Sequence, residues 1–71
     1  GQSVWVKIDE EWIPGVISGG STRSVQARGT DGLSFPVVYG QLKRRYFAPL
    51  NGDIKPDTPT VRILLQEGGW L

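Results

Sequence analysis

The chain contains no cysteine and no histidine. Without cysteine there is no disulfide staple, and the sequence carries no mark of a redox compartment. With both residues missing, the usual nitrogen and sulfur ligands of zinc are missing too. The DxDxDG pattern of an oxygen-lined calcium loop is also absent. No apolar run approaches the ~20 residues of a membrane-spanning helix. No signal-peptide pattern opens the chain. No cofactor, metal site or membrane partner is therefore expected. The chain begins Gly1-Gln2-Ser3 and not with Met, which reads as a piece cut from a longer protein, with Gly1 left from a tag.

Catalytic patterns are missing as well. The serines at positions 3, 18, 21, 24 and 34 have no histidine to act as base, and the GxSxG elbow does not occur. Asp9, Glu10 and Glu11 are adjacent acids and read as a solvated turn. With no nucleophile and base in view, the chain is expected not to be an enzyme. The Gly19-Gly20-Ser21-Thr22 stretch lacks the spacing and the lysine of a phosphate-binding loop, and reads as a plain loop. Pro56 and Pro59 have the spacing of a PxxP ligand. Pro59 is better placed as the first residue of a helix.

What is present is one small domain. At 71 residues the chain makes a single unit, residues 1–71. A domain this small buries only about 60% of the surface its unfolded chain exposes, so its stability is marginal. Eight basic and seven acidic residues leave a net charge of +1. The charges are unevenly spread. Residues 21–50 hold Arg23, Arg28, Lys43, Arg44 and Arg45 against a single acid, Asp31. This makes a local basic face on a nearly neutral protein.

Period-two alternation predicts strands over residues 3–8, 23–28 and 33–39, and residues 11–18 (EWIPGVIS) and 44–50 (RRYFAPL) read as two further strands. Pro14-Gly15 and Pro36 mark bulges or edges. Asp31-Gly32 reads as a hairpin turn. Residues 40–43 turn the chain, in the space of a single 3₁₀ turn, and Asn51-Gly52 turns it again. Thr58 and Pro59 start a helix as N-cap and first residue. Val61, Leu64 and Leu65 follow helical spacing, and Gly68-Gly69 ends it. Trp70 and Leu71 are expected to fold back beside Trp5. The expected core is Val4, Val6, Ile8, Ile13, Val16, Ile17, Val25, Phe35, Val37, Leu50, Leu64 and Leu65. Ala27 is also expected to face inward. The fold expected is mainly β: a five-stranded SH3-like barrel over residues 2–50, a linker over 51–57, and a short carboxy-terminal helix and tail over 58–71.

Three stretches carry a resemblance: VWVK (residues 4–7), WIPGVI (residues 12–17) and FPVVY (residues 35–39), followed by a basic segment ending in Pro49-Leu50. Together they resemble an SH3-like barrel of the Tudor and chromatin-reader kind, and the carboxy-terminal barrels of integrases. The second strand in those families often opens with Trp, as Trp12 does here. This resemblance covers about two-thirds of the chain. It implies a non-catalytic recognition module in an intracellular, nuclear setting, associated with chromatin. Residues 46–71 are similar to a recurring ending of uncharacterised fungal proteins, and no activity comes with that similarity.

Two surface readings follow. Reader barrels hold methylated lysine in an aromatic cage by cation–π attraction. Trp12, Tyr39 and Tyr46 are the candidates for such a ligand-binding aromatic surface, with Asp31 as the nearest acid. The other feature is a basic patch of Lys43, Arg44 and Arg45, extended by Arg23 and Arg28. Basic residues beside Tyr46 and Phe47 suit nucleic acid, with charge on phosphates and rings on bases. The expected partner is a protein or peptide. Nucleic acid is the alternative, and structural docking or self-association through the barrel and its tail is the third.

Overall fold

The computed structural model describes residues 1–27 and 29–71. Its elements run β1 (Ser3–Ile8), β2 (Glu11–Ile17), β3 (Arg23–Ala27), β4 (Thr30–Tyr39), β5 (Lys43–Phe47), a 3₁₀ turn (Pro49–Asn51), β6 (Ile54–Pro56) and α1 (Pro59–Glu67). The protein is mainly β with one carboxy-terminal helix, in agreement with the sequence reading. Six strands form one antiparallel sheet in the order β3-β4-β2-β1-β6, with β5 also paired to β4. The sheet does not close on itself. The 3₁₀ turn links two of its edge strands, β5 and β6.

β6 is the strand the sequence reading missed, because residues 51–57 show no alternation. Its three residues nevertheless pair Val4↔Pro56, Trp5↔Lys55 and Val6↔Ile54. Pro56 closes the strand, where its missing N–H is tolerated. The 3₁₀ turn is also displaced from its expected place at residues 40–43 to Pro49–Asn51, where Pro49 opens it.

β1 and β2 are joined by Asp9 and Glu10, both at positive φ (50° and 67°). That is the mirror-image turn whose twist suits a two-residue hairpin. The expected Asp31-Gly32 turn is corrected. Both residues lie inside β4, opposite Gln26 and Val25. The chain reverses between the paired residues Ala27 and Thr30, with Gly29 at φ 76°. Gly32 serves another purpose, since a Cβ there would collide with Leu50. Arg28 and the side chain of Ala27 lie outside the described residues.

β4 is ten residues long and serves two neighbourhoods. Its first half pairs with β3, and its second half lies between β2 and β5. Where these strands curve, Val4, Val6, Val37, Tyr39 and Phe47 form the inner core, with Ile8, Ile13, Ile17 and Ile54 packed around it. Tyr39 meets Phe47 edge-on, with ring centroids 5.8 Å apart.

A second core forms on the outer face of the sheet. Trp5, Trp12 and Leu65 are buried together, with Val61 against them. Here α1 lies over β1 and β2. The helix starts as expected, with the Val61 N–H donating to Thr58 Oγ1 at 3.2 Å. It ends in a two-bond glycine cap: the Gly69 N–H donates to Gln66 O and the Trp70 N–H to Leu65 O. This cap turns Trp70 back over Gly68. The Trp70 indole then donates to Glu10 O at 3.1 Å, so the tail returns to the β1–β2 turn. Trp70 and Leu71 still keep 43% and 52% of their surface exposed.

Three expected core residues are corrected. Val16, Leu50 and Leu64 are exposed at 44%, 41% and 53%. Ile17 takes the inward position on β2, so the pleat turns Val16 outward. Leu50 sits in the 3₁₀ turn. On α1, Val61 and Leu65 are one turn apart and take the sheet-facing stripe, which leaves Leu64 beside it. Among the described residues, no helix is long and apolar enough to cross a membrane.

Candidate recognition surface

The strand register lines up side chains on the outer face. Ser3 pairs with Val16, Val16 with Val38, and Val38 with Arg44, so one row crosses four strands. The row on one side of it begins with the pair Trp5↔Pro14. The row on the other side holds Pro36↔Tyr46, with Ser18 joined to Pro36 by its N–H to Pro36 O. α1 covers only the Trp5 end of this face. The rest is open.

A groove of about 420 Å³ lies where the open half meets the helix and the tail. Trp5, Val16, Val38, Asp57, Arg62 and Leu71 are among its walls. Val16 and Val38 supply an aliphatic floor. Asp57 and Arg62 supply a fixed polar wall: the Arg62 guanidinium donates to both Asp57 oxygens, at 2.7 and 2.9 Å. The Trp5 indole donates to Asp57 Oδ1 at 2.9 Å. Arg62 foremost, and Trp5 after it, favour the charged carboxylate and hold its pKa down at about 2. The same pairing raises the pKa of Arg62. A smaller hollow of about 210 Å³ opens elsewhere, between Gln2, Ile17, Phe35 and β6.

At the other end of the open face, two guanidiniums gather on one ring. Arg23 lies 4.1 Å and Arg44 6.0 Å from the Tyr46 ring centroid. Tyr46 is anchored by its hydroxyl, which donates to Ser21 O at 3.1 Å. Arg44 donates through Nε to Ser18 Oγ at 3.3 Å. Among the described residues, the ion pairs are Lys7–Glu10 and Arg62–Asp57. Neither Arg23 nor Arg44 has an acidic partner there.

The sequence candidates are thus redistributed. Trp12, Tyr39 and Tyr46 do not meet. Trp12 is buried under α1 with Lys55 5.4 Å from its ring, and Tyr39 is buried in the inner core. Of the three, Tyr46 is the most exposed. Asp31 is no help to a cage, because it stands eight positions from Tyr39 along β4, about 26 Å at strand rise.

The basic run is divided by the pleat of β5. Arg44 pairs with outward Val38, whereas Lys43 and Arg45 pair with inward Tyr39 and Val37. Arg45 instead lies 5.5 Å from the Phe47 ring. Arg23, Arg44 and Tyr46 come together, Lys43 and Arg45 face away, and Arg28 lies outside the described residues.

The residues the sequence reading missed are Val38, Asp57 and Arg62, together with the outward role of Val16. Val16-Ile17 and Val37-Val38 did carry a signal. Two neighbouring apolar residues in a strand put one on each face. The pairing of Asp57 with Trp5 carried none, since it joins residues 52 positions apart.

Neither a family model, nor a curated protein, nor a solved structure matches this chain.

Proposed function

We propose that this chain is a non-catalytic recognition module of a larger protein, binding an extended segment of a protein partner across the open half of the outer sheet face. The observation that carries this reading is the groove between α1 and the sheet. It offers two aliphatic side chains, exposed Val16 and half-buried Val38, beside a hydrogen-bonded polar wall, Asp57 and Arg62. Concave sites of this size take a side chain in an apolar floor and orient it by a few fixed polar groups. Strand order also supports the SH3-like, Tudor-like reading. β6-β1-β2-β4-β5 is a continuous path, with a 3₁₀ turn before its last strand in sequence. A methyl-lysine cage is not part of the proposal, because Trp12 and Tyr39 are occupied in the two cores.

The test is selection of a phage-displayed library of random nine-residue peptides on the protein and on a Val16→Lys/Val38→Lys variant. Enrichment on the protein that vanishes on the variant supports the reading. Equal enrichment on both, or none on either, overturns it. A second reading, nucleic-acid binding, draws on the Arg23–Tyr46–Arg44 cluster. Phosphate binding through these residues makes affinity fall steeply with salt. An NMR titration with a short DNA duplex at low and physiological salt tests it. Shifts at Arg23, Arg44 and Tyr46 that collapse as salt rises support it, and no shifts at low salt remove it.

A further inference from the structure

The apolar floor of the groove and the arginine corner belong to one surface. Val38 pairs with Arg44 across β4 and β5, and Tyr46 is two residues further along β5. A segment seated on Val16 and Val38 therefore passes beside Arg44. Both arginines at that corner are exposed, and no acid of the chain neutralises them among the described residues. Tyr46 holds the pair in place, through its ring and through its bond to Ser21. Asp57 already occupies Arg62 at the groove's opposite wall. The uncompensated charge of this face is thus positive, and it sits at one end.

We propose that the partner segment is an acidic–aliphatic peptide: an aliphatic side chain rests on Val16 and Val38, and an aspartate or glutamate side chain docks between Arg23 and Arg44. This rests on the groove being the binding site and adds the chemistry of what it takes. Neighbouring strands are about 5 Å apart, and an extended chain advances about 3.3 Å per residue. With the reach of an arginine side chain added, the acid falls about two to four residues from the aliphatic anchor. Guanidinium–carboxylate contacts at an exposed corner are individually modest, so the acid contributes about a three- to tenfold gain in affinity.

The same nine-residue library, selected in parallel on the protein and on Arg23→Gln/Arg44→Gln, tests this. Both arginines are exposed, and an unchanged amide spectrum confirms that the variant is folded. The expected result is an aliphatic position with Asp or Glu two to four residues away on the protein. On the variant the aliphatic preference stays and the acidic preference is lost. A synthetic copy of the enriched peptide should bind the variant about three- to tenfold more weakly. Aliphatic enrichment with no acidic preference, or an acidic preference that survives in the variant, overturns this proposal and leaves the groove standing. No enrichment on either protein removes the groove and this proposal together. If a DNA duplex shifts Arg23, Arg44 and Tyr46 and the peptide does not, the corner belongs to nucleic acid and the proposal is wrong.

Discussion

The indole N–H of Trp5 donates to the carboxylate of Asp57 at 2.9 Å, tying the first strand to the residue before the helix cap. Arg62, on the first turns of α1, grips the same carboxylate with two bonds. One side chain thus fixes the helix on the outer sheet face and builds one wall of the groove.

That carboxylate makes stability depend on pH. Its pKa is lowered from 3.8 to about 2, by Arg62 first and then by Trp5. The folded state therefore prefers the charged form more than the unfolded state does. The contribution is fully present above pH 3.8 and fades as pH falls toward 2. Asp57→Asn is expected to lower the melting temperature at pH 7. The gap between variant and parent should close between pH 4 and pH 2, as followed by circular dichroism melts. A gap that is constant across this range would show that the charge is not what stabilises the contact.

Leu42 is strained and useless to the core. It stands at φ 60° in the β4–β5 turn with 89% of its surface exposed. A left-handed conformation costs a non-glycine residue about 1–2 kcal/mol. Leu42→Gly relieves that strain and removes no packing. It is expected to stabilise the protein by about 1 kcal/mol in urea unfolding, after the larger chain entropy of glycine is subtracted. A destabilised variant would mean that Leu42 packs in a way its exposure conceals.

Trp70 and Leu71 fold back without being fully covered. Trp70 bonds Glu10, and Leu71 lines the groove. Removing both is expected to cost about 1–2 kcal/mol of stability, the scale for half-buried apolar side chains. Urea unfolding of the protein shortened by two residues measures this. No change in the midpoint would show that the tail does not hold the helix end in place.

Much of this architecture was legible in the sequence, and the gaps have physical causes. β1, β3 and β4 follow from alternation, β2 and β5 from short strand-like stretches between turns, and the helix start from Thr58 and Pro59. β6 was not legible, because Ile54-Lys55-Pro56 is too short to show a period and is defined by its partner β1. Trp5 lies on the phase of β1 that a one-sided sheet would leave in water. The helix that covers it comes from the far end of the chain, so its burial reads as core only when both faces are counted. The candidate site was legible in part. Arg23, Arg44 and Tyr46 do meet, but the consecutive letters Lys43, Arg44 and Arg45 look like one patch, and a pleated strand separates them. Trp12 and Tyr39 lie near strand ends in sequence, which suggests a barrel mouth, yet in space they are buried in two separate cores.

The central claim is that recognition takes place on the open half of the outer sheet face. The most direct measurement is an amide NMR titration of the labelled protein with the peptide that selection enriches. The account predicts shifts concentrated at Ser3, Val16, Val38, Arg44 and Arg62, with Lys43 and Arg45 little changed. Shifts confined to the Lys43 and Arg45 side of β5, or to the hollow beside Phe35, would contradict it.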